Sequence, residues 1–293
     1  MIRLKAECMS CLTKKYMDKY PANATEEQRV EFSRRVLKLI SEAPLSLSAP
    51  VLVRSINDIR REMFDYEDEF VEEKAHFNEL MLEWEEEIAG WIEASKEPLQ
   101  LALQLAMTGN YIDFGAVKSV EEDYLSNALR NADKRKVDEK TFAALQEDLA
   151  KAKHLVYLTD NCGEIVLDKL FIREIMKQYP QLKITTIVRG GAVLNDAQLE
   201  DAKQIGLTEL VAVLDNGNNI AGTWLEEVAL PAKQRIEEAD VILAKGQANF
   251  ETLRGCGLNI YYIFLCKCEM FARQFEVEKF TGMLVNEKKL KSV

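Results

Sequence analysis

Histidine is almost missing from this 293-residue chain: His76 and His154 are the only two. That scarcity argues against two-histidine zinc sites and against mechanisms built on a histidine cluster, because imidazole is a usual zinc ligand and the usual proton shuttle near neutral pH. Long apolar runs are missing as well, and none approaches the roughly 20 residues that a membrane span needs. The opening MIRLKAECMSC has no apolar stretch and no small-residue cleavage site. This excludes a secretory signal and sets the expectation of a cytoplasmic protein with no membrane partner. Basic charge is in deficit, the formal net charge being −11. A nucleic-acid surface needs the opposite balance, since phosphate backbones are held by Lys and Arg. A small anionic ligand is still compatible, because a divalent cation and a few backbone amides reverse the field locally.

Several catalytic signatures are also absent. There is no Gly-x-x-x-x-Gly-Lys-Ser/Thr phosphate loop. The haloacid-dehalogenase pattern needs a second Asp two residues after the first, but Cys162 follows Asp160 at that distance. A cysteine-phosphatase loop needs Arg six residues after its Cys, and Asp168 stands there after Cys162. Gly255-Cys256-Gly257 lacks the third glycine of a dinucleotide fingerprint and precedes a strand-like run. What survives is a metal-activated water or a directly attacking carboxylate.

With 47% hydrophobic and 30% charged residues, the chain has the composition of a globular protein. It shows no internal repeat and no low-complexity linker. Up to residue 152 the pattern is helical. Thr25 to Gln28 has capping-box spacing, Ser48 and Pro50 open a helix through Ile59, and Asp68–Leu105 is helical with a break at Pro98. Ser119 to Glu122 has a second capping-box spacing, and Thr141–Lys151 reads as a closing helix. From residue 153, β-type runs appear at Leu155–Leu158, Ile184–Val188, Leu210–Leu214, Val241–Leu243 and Ile260–Leu265, with helical stretches such as Glu164–Gln178 and Trp224–Glu238 between. Short buried strands alternating with helices signal a mostly parallel sheet covered on both faces. The expected fold class is therefore α/β: a helical N-terminal domain, 1–152, and a Rossmann-like, doubly wound domain, 153–293.

Ligands of such sheets bind beyond the carboxyl ends of the strands. There the sequence places Asp160-Asn161-Cys162-Gly163-Glu164, Arg189-Gly190-Gly191 with Asn195-Asp196, Asp215-Asn216-Gly217-Asn218-Asn219, Lys245 to Glu251, and Cys266-Lys267-Cys268. Carboxylate and amide oxygens at Asp160-Asn161 and Asn195-Asp196 are hard donors suited to Mg²⁺ or Mn²⁺. Gly163 permits a close backbone approach, and a helix starting near Glu164 would aim free amides at an anion. Gly190-Gly191 and Lys245-Gly246 are candidate phosphate cradles, and Lys267 a candidate point charge.

In these motifs the chain resembles the damage-control phosphatases, also known as domain of unknown function 89 and ARMT-like proteins. The resemblance rests on Cys8-Met9-Ser10-Cys11, Gly109-Asn110-Tyr111-Ile112-Asp113, Asp160 to Glu164, Asn195-Asp196 and Lys245 to Glu251, in this order over nearly the whole chain. The N-terminal cysteine pair is similar to the stand-alone prokaryotic branch. The resemblance implies a metal-dependent phosphatase for small phosphorylated metabolites, with one divalent ion (Mg²⁺, Mn²⁺, Co²⁺ or Ni²⁺) held by Asp160, Asn161 and Asp196. Asn110 and Asp113 would reach the same cleft, and Lys245, Gly246 and Asn249, with Glu251 nearby, would shape the substrate pocket. Glu164, Arg189 and Lys267 complete the candidate substrate contacts. Competing expectations are an S-adenosylmethionine-dependent carboxyl methyltransferase and a non-catalytic binder of phosphometabolites. Cys8 and Cys11 have metal-ligand spacing and are candidates for a second metal, which Cys266 and Cys268 would complete.

Overall fold

A computed structural model describes residues 1–64, 70–113 and 120–290, and in it the chain changes from helices to strand–helix alternation at His154. Before that point run α1 (Ala6–Tyr16), α2 (Glu26–Glu42), α3 (Ala49–Phe64), α4 (Val71–Ala94), α5 (Pro98–Gly109), α6 (Glu122–Arg130) and α7 (Glu139–Lys151). After it come β1 (His154–Leu158), α8 (Glu164–Gln178), β2 (Lys183–Val188), α9 (Leu199–Gln204), α10 (Leu207–Leu210) and β3 (Ala212–Asp215). The chain then forms α11 (Leu230–Glu237), β4 (Val241–Lys245), α12 (Gln247–Leu253), β5 (Ile260–Leu265), α13 (Glu269–Phe275) and β6 (Gly282–Asn286).

Local signals explain many of these boundaries. Thr25 and Gln28 form the reciprocal capping box that opens α2. Pro98 sits in the first turn of α5, where its missing N–H costs nothing. α7 starts before Thr141 because the Asp138 side chain accepts the Thr141 N–H. Ser119, of the second expected capping box, and Asp68 lie outside the described residues. α11 begins at Leu230 rather than Trp224, since Pro231 fits only the first turn of a helix. Leu210 ends a helical turn instead of opening β3.

The sheet order is β3-β2-β1-β4-β5-β6, parallel except for β6, which pairs antiparallel with β5. The winding reverses between β1 and β4, and that reversal opens a crevice at their carboxyl ends. The expected α/β doubly wound class is what the structure has, with β6 an edge strand that the sequence pattern did not reveal.

One face of the sheet packs on α8, whose Ile165, Val166, Leu167, Leu170, Phe171, Ile172 and Ile175 are all buried. Each such side chain contributes roughly 1.5–3 kcal/mol on leaving water. α4, α5 and α7 belong to the same apolar cluster, so packing runs uninterrupted across residues 152–153. The other face carries α11, α12 and α13, and α1–α3 form a smaller cluster of their own. Among the described residues no helix is long and apolar enough to cross a membrane.

Asp240 fixes where β1 and β4 begin: its Oδ2 accepts the N–H groups of Lys153 at 2.8 Å and His154 at 2.9 Å. These backbone bonds, Lys153 first, hold its carboxyl below the usual carboxylate range. A depressed folded-state pKa gives stability that is present above the unfolded value near about 3.9 and is lost as pH falls through the folded one. Asp240→Asn should therefore lower the urea midpoint at pH 7 and matter progressively less as pH falls below about 4, the unfolded value, and through the lower folded one. Paired urea titrations at pH 7 and in that acid range check this.

Candidate active site

The crevice is built by a loop that doubles back. After β2 the chain returns across the end of β1, and Asn161 and Asp196 form an isolated antiparallel bridge. Ala197 N–H donates to the Asp160 carbonyl, and Cys162 N–H to that of Asn195, both at 2.8 Å. Just before this bridge Leu194 adopts a left-handed φ of 46°, a cost of the kind that surrounding structure must hold in place. Asn195 Nδ2 donates to the Ile112 carbonyl at 3.0 Å, fastening the loop to the helical region.

Asp160 and Asp196 are thereby buried beside one another, with Arg189 between them. Arg189 Nε donates to Asp196 Oδ2 at 2.6 Å, and its Nη2 lies 3.6 Å from Asp160 Oδ1. Both terminal guanidinium nitrogens, Nη1 and Nη2, are buried without a hydrogen-bond partner among the described residues. On the other side of Asp160, its Oδ2 accepts Asn110 Nδ2 at 3.0 Å and Asn161 Nδ2 at 2.9 Å. Asn110 caps α5, and its Oδ1 accepts the Leu265 N–H at the end of β5. The same two amide nitrogens donate to Glu164, which also receives Lys245 Nζ at 2.6 Å.

Negative charge is in excess. The carboxylates of Asp113, Asp160, Glu164, Asp168 and Asp196 outnumber the cations Arg189, Lys245 and Lys267. Burial, followed by the charges of Asp196 and Glu164, raises Asp160 well above the usual carboxylate range. Burial pushes Asp196 up to about 6 against the opposing pull of Arg189. Carboxylates crowded without enough counter-charge suit a divalent cation, which would supply the missing positive charge and favour their ionised forms. Asp160, Asn161 and Asp196 offer it two carboxylates and an amide, a hard-donor set. Among the described residues no three His, Cys, Asp or Glu side chains already stand as a metal site.

The family model for the damage-control phosphatase ARMT1-like domain matches residues 4–282. The chain belongs to this family. A damage-control phosphatase of Pyrococcus horikoshii is 30% identical over 97% of this chain and 97% of its own length. One from Archaeoglobus fulgidus is 32% identical over 94% of this chain and 96% of its own. The crystal structure of a DUF89 family protein from Pyrococcus horikoshii aligns with a TM-score of 0.81 at 27% identity, covering 98% of this chain and 100% of that one.

Within this damage-control phosphatase fold, the expected residues divide into two groups. Asp160, Asn161, Asp196, Asn110, Glu164 and Arg189 converge. Asp113 and Lys267 pair at 2.7 Å, and the Asp113 charge reaches both Asp160 and Asp196. Others are engaged elsewhere in this structure. The Lys245 ammonium is engaged inside the wall by Glu164, Asp168 and the Ala106 carbonyl. Asn249 braces the scaffold, donating to the Thr159 and Lys245 carbonyls and accepting Thr223 Oγ1. Glu251 faces away, accepting Gln247 Nε2 and feeling the charge of Lys15 rather than of the crevice. Gly190 N–H is taken by Asn216 Oδ1 and the Asn218 carbonyl.

The start of α8 is similarly occupied, since Gly163 N–H donates to Asn78 Oδ1 at 2.7 Å. Gly163, at φ 74°, lets the chain approach α4, where a Cβ would come within 2.9 Å of Phe77 Cβ. Asn78, Asp168 and Tyr157 escaped the sequence analysis. Asp168 had a signal: it stands one turn after Glu164 in a helix whose neighbouring positions are almost all apolar. The cysteines are free thiols, Cys11 exposed, Cys8 and Cys268 half-buried and Cys266 buried. Burial pushes the Cys266 thiol up to about 11 and raises Cys8 and Cys268.

Gly246 closes the crevice at the end of β4. Its N–H is used by the Ile263 carbonyl, and its φ of 79° places the α-carbon so close that an added Cβ would overlap the Asp160 carboxylate. Gly246→Ala should therefore destabilise the fold by about 1–3 kcal/mol, the cost typical of a backbone forced into a glycine-only region. Urea unfolding with tryptophan fluorescence measures it.

Proposed function

We propose that this chain is a metal-dependent phosphatase hydrolysing phosphate monoesters of small metabolites, sugar phosphates or damaged and side-product phosphometabolites among them. The observation that carries it is the buried Asp160–Asp196 pair facing a guanidinium with two uncommitted nitrogens. Membership of the damage-control phosphatase family supports the same reaction class.

Asp160, Asn161 and Asp196 would hold one divalent cation, which supplies charge neutralisation at the phosphoryl group and an acidified water. Arg189 offers its Nη1 and Nη2 to phosphoryl oxygens in the planar, forked geometry that suits them. The amides of Asn110 and Asn161 hold Asp160 Oδ2, leaving Oδ1 toward Arg189. Lys267, tied to Asp113, supplies a cation near the carboxyl end of β5. Burial of Asp160, Asn161, Asp196, Arg189 and Asn110 excludes bulk water, so their charges and dipoles act at low local dielectric.

Phosphate release from a panel of phosphometabolites and from para-nitrophenyl phosphate, with Mg²⁺, Mn²⁺, Co²⁺ or Ni²⁺, tests this. Asp160→Asn and Asp196→Asn should each reduce turnover by at least about 100-fold while thermal unfolding remains cooperative. Arg189→Lys should chiefly raise KM, because a point charge replaces the fork. Full turnover in either Asp variant would falsify the assignment.

A further inference from the structure

Lys245 is completely enclosed, and its three hydrogens all have acceptors. Nζ donates to Glu164 Oε1 at 2.6 Å, to Asp168 Oδ1 at 2.5 Å and to the Ala106 carbonyl at 3.0 Å. Behind it, Asp168 Oδ1 also accepts the Tyr157 hydroxyl at 2.8 Å. In front of it, Glu164 accepts Asn110 Nδ2 and Asn161 Nδ2, each at 2.9 Å through Oε2. Those two nitrogens are the ones that grip Asp160 Oδ2. From Tyr157 to Asp160, every link is a hydrogen bond between buried groups.

We infer that Lys245, Asp168 and Tyr157 form a bracket of positioning residues that sets the orientation of Asp160 through Glu164, Asn110 and Asn161, and that none of the three touches substrate. The inference rests on the phosphatase reading above. Its physical core is a like-charge pair: Glu164 and Asp168 lie one turn apart on α8 and repel unless a cation stands between them. Lys245, delivered from the end of β4, is that cation. Without it Glu164 loses its anchor, the two asparagines lose a fixed acceptor, and Asp160 loses its orientation.

Full-length protein with Mn²⁺ and para-nitrophenyl phosphate provides the test. Lys245→Met should lower kcat by at least about 100-fold, while KM and the inhibition constant of inorganic phosphate move by less than roughly threefold. Asp168→Asn should show the same split with a loss of about tenfold. A rise of roughly tenfold or more in KM and in the phosphate inhibition constant, with kcat nearly unchanged, would mean that Lys245 touches phosphate and would overturn the inference. Wild-type kcat in a folded Lys245→Met variant would overturn it too. Should Lys245→Met not fold, the charge-balanced Lys245→Met/Asp168→Asn protein takes its place under the same criteria.

Mn²⁺ affinity by calorimetry separates this from the phosphatase reading. Deleting a nearby positive charge alone tightens Mn²⁺ binding, whereas losing the orientation of Asp160 weakens it, by about tenfold. Weaker binding in Lys245→Met supports positioning even if the wild type hydrolyses no ester, a result that would sink the phosphatase reading alone. Unchanged or tighter binding overturns positioning.

Discussion

Two carboxylates set side by side in a nearly dry interior repel each other and resist ionisation. At an effective dielectric near 20, unit charges about 4 Å apart interact by about 4 kcal/mol, which is a large share of a typical domain's stability. The antiparallel bridge between Asn161 and Asp196 imposes this arrangement here, and much of the surrounding structure offsets it. Arg189 lies between the acids, Asn110 and Asn161 hold one oxygen of Asp160, and Lys245 balances the pair of acids behind them. The balance is incomplete, and a divalent cation is the counter-charge proposed to complete it.

The constraint also explains why the helical region and the sheet cannot be considered separately. Asn110 comes from the end of α5, Asn78 from α4, and the Ile112 carbonyl from the turn after α5. Each reaches the loops after β1 or β2. α5 itself is apolar on nearly every side, packed against α8 beneath the sheet. Its burial gives Asn110 a rigid base, and a rigid base is what a polar group needs if its hydrogen bonds are to orient a neighbour.

Much of this was legible in the sequence. Apolar runs separated by helical stretches gave the class of sheet, and the rule that ligands sit beyond strand ends led directly to Asp160, Asn161, Asp196 and Arg189. Asp160, Asn161 and Arg189 were readable because the strand end itself puts them there, whereas Asp196 arrives through the loop that doubles back. Lys245, Asn249 and Glu251 were harder, since a motif shows proximity along the chain but not which way each side chain is spent. Lys245 and Asn249 turn into the scaffold and Glu251 turns toward Gln247 on the same short stretch, and only contacts with α8, Thr159 or Gln247 decide which. Tyr157 lay hidden in a strand where an aromatic side chain is ordinary packing. β6 was missed because a short antiparallel edge strand lacks the alternation with helices that marked the others.

The bond from Asn110 Oδ1 to the Leu265 N–H joins positions 155 residues apart. During synthesis the chain emerges from its N-terminus, so the helices exist well before β5 does. Until β5 has been made and laid against β4, the Asn110 carbonyl oxygen lacks the N–H that completes its hold beside Asp160. The crevice is therefore completed only once β5 has been made, and a ribosome-bound fragment ending before β5 would lack a finished centre however well its helices had formed.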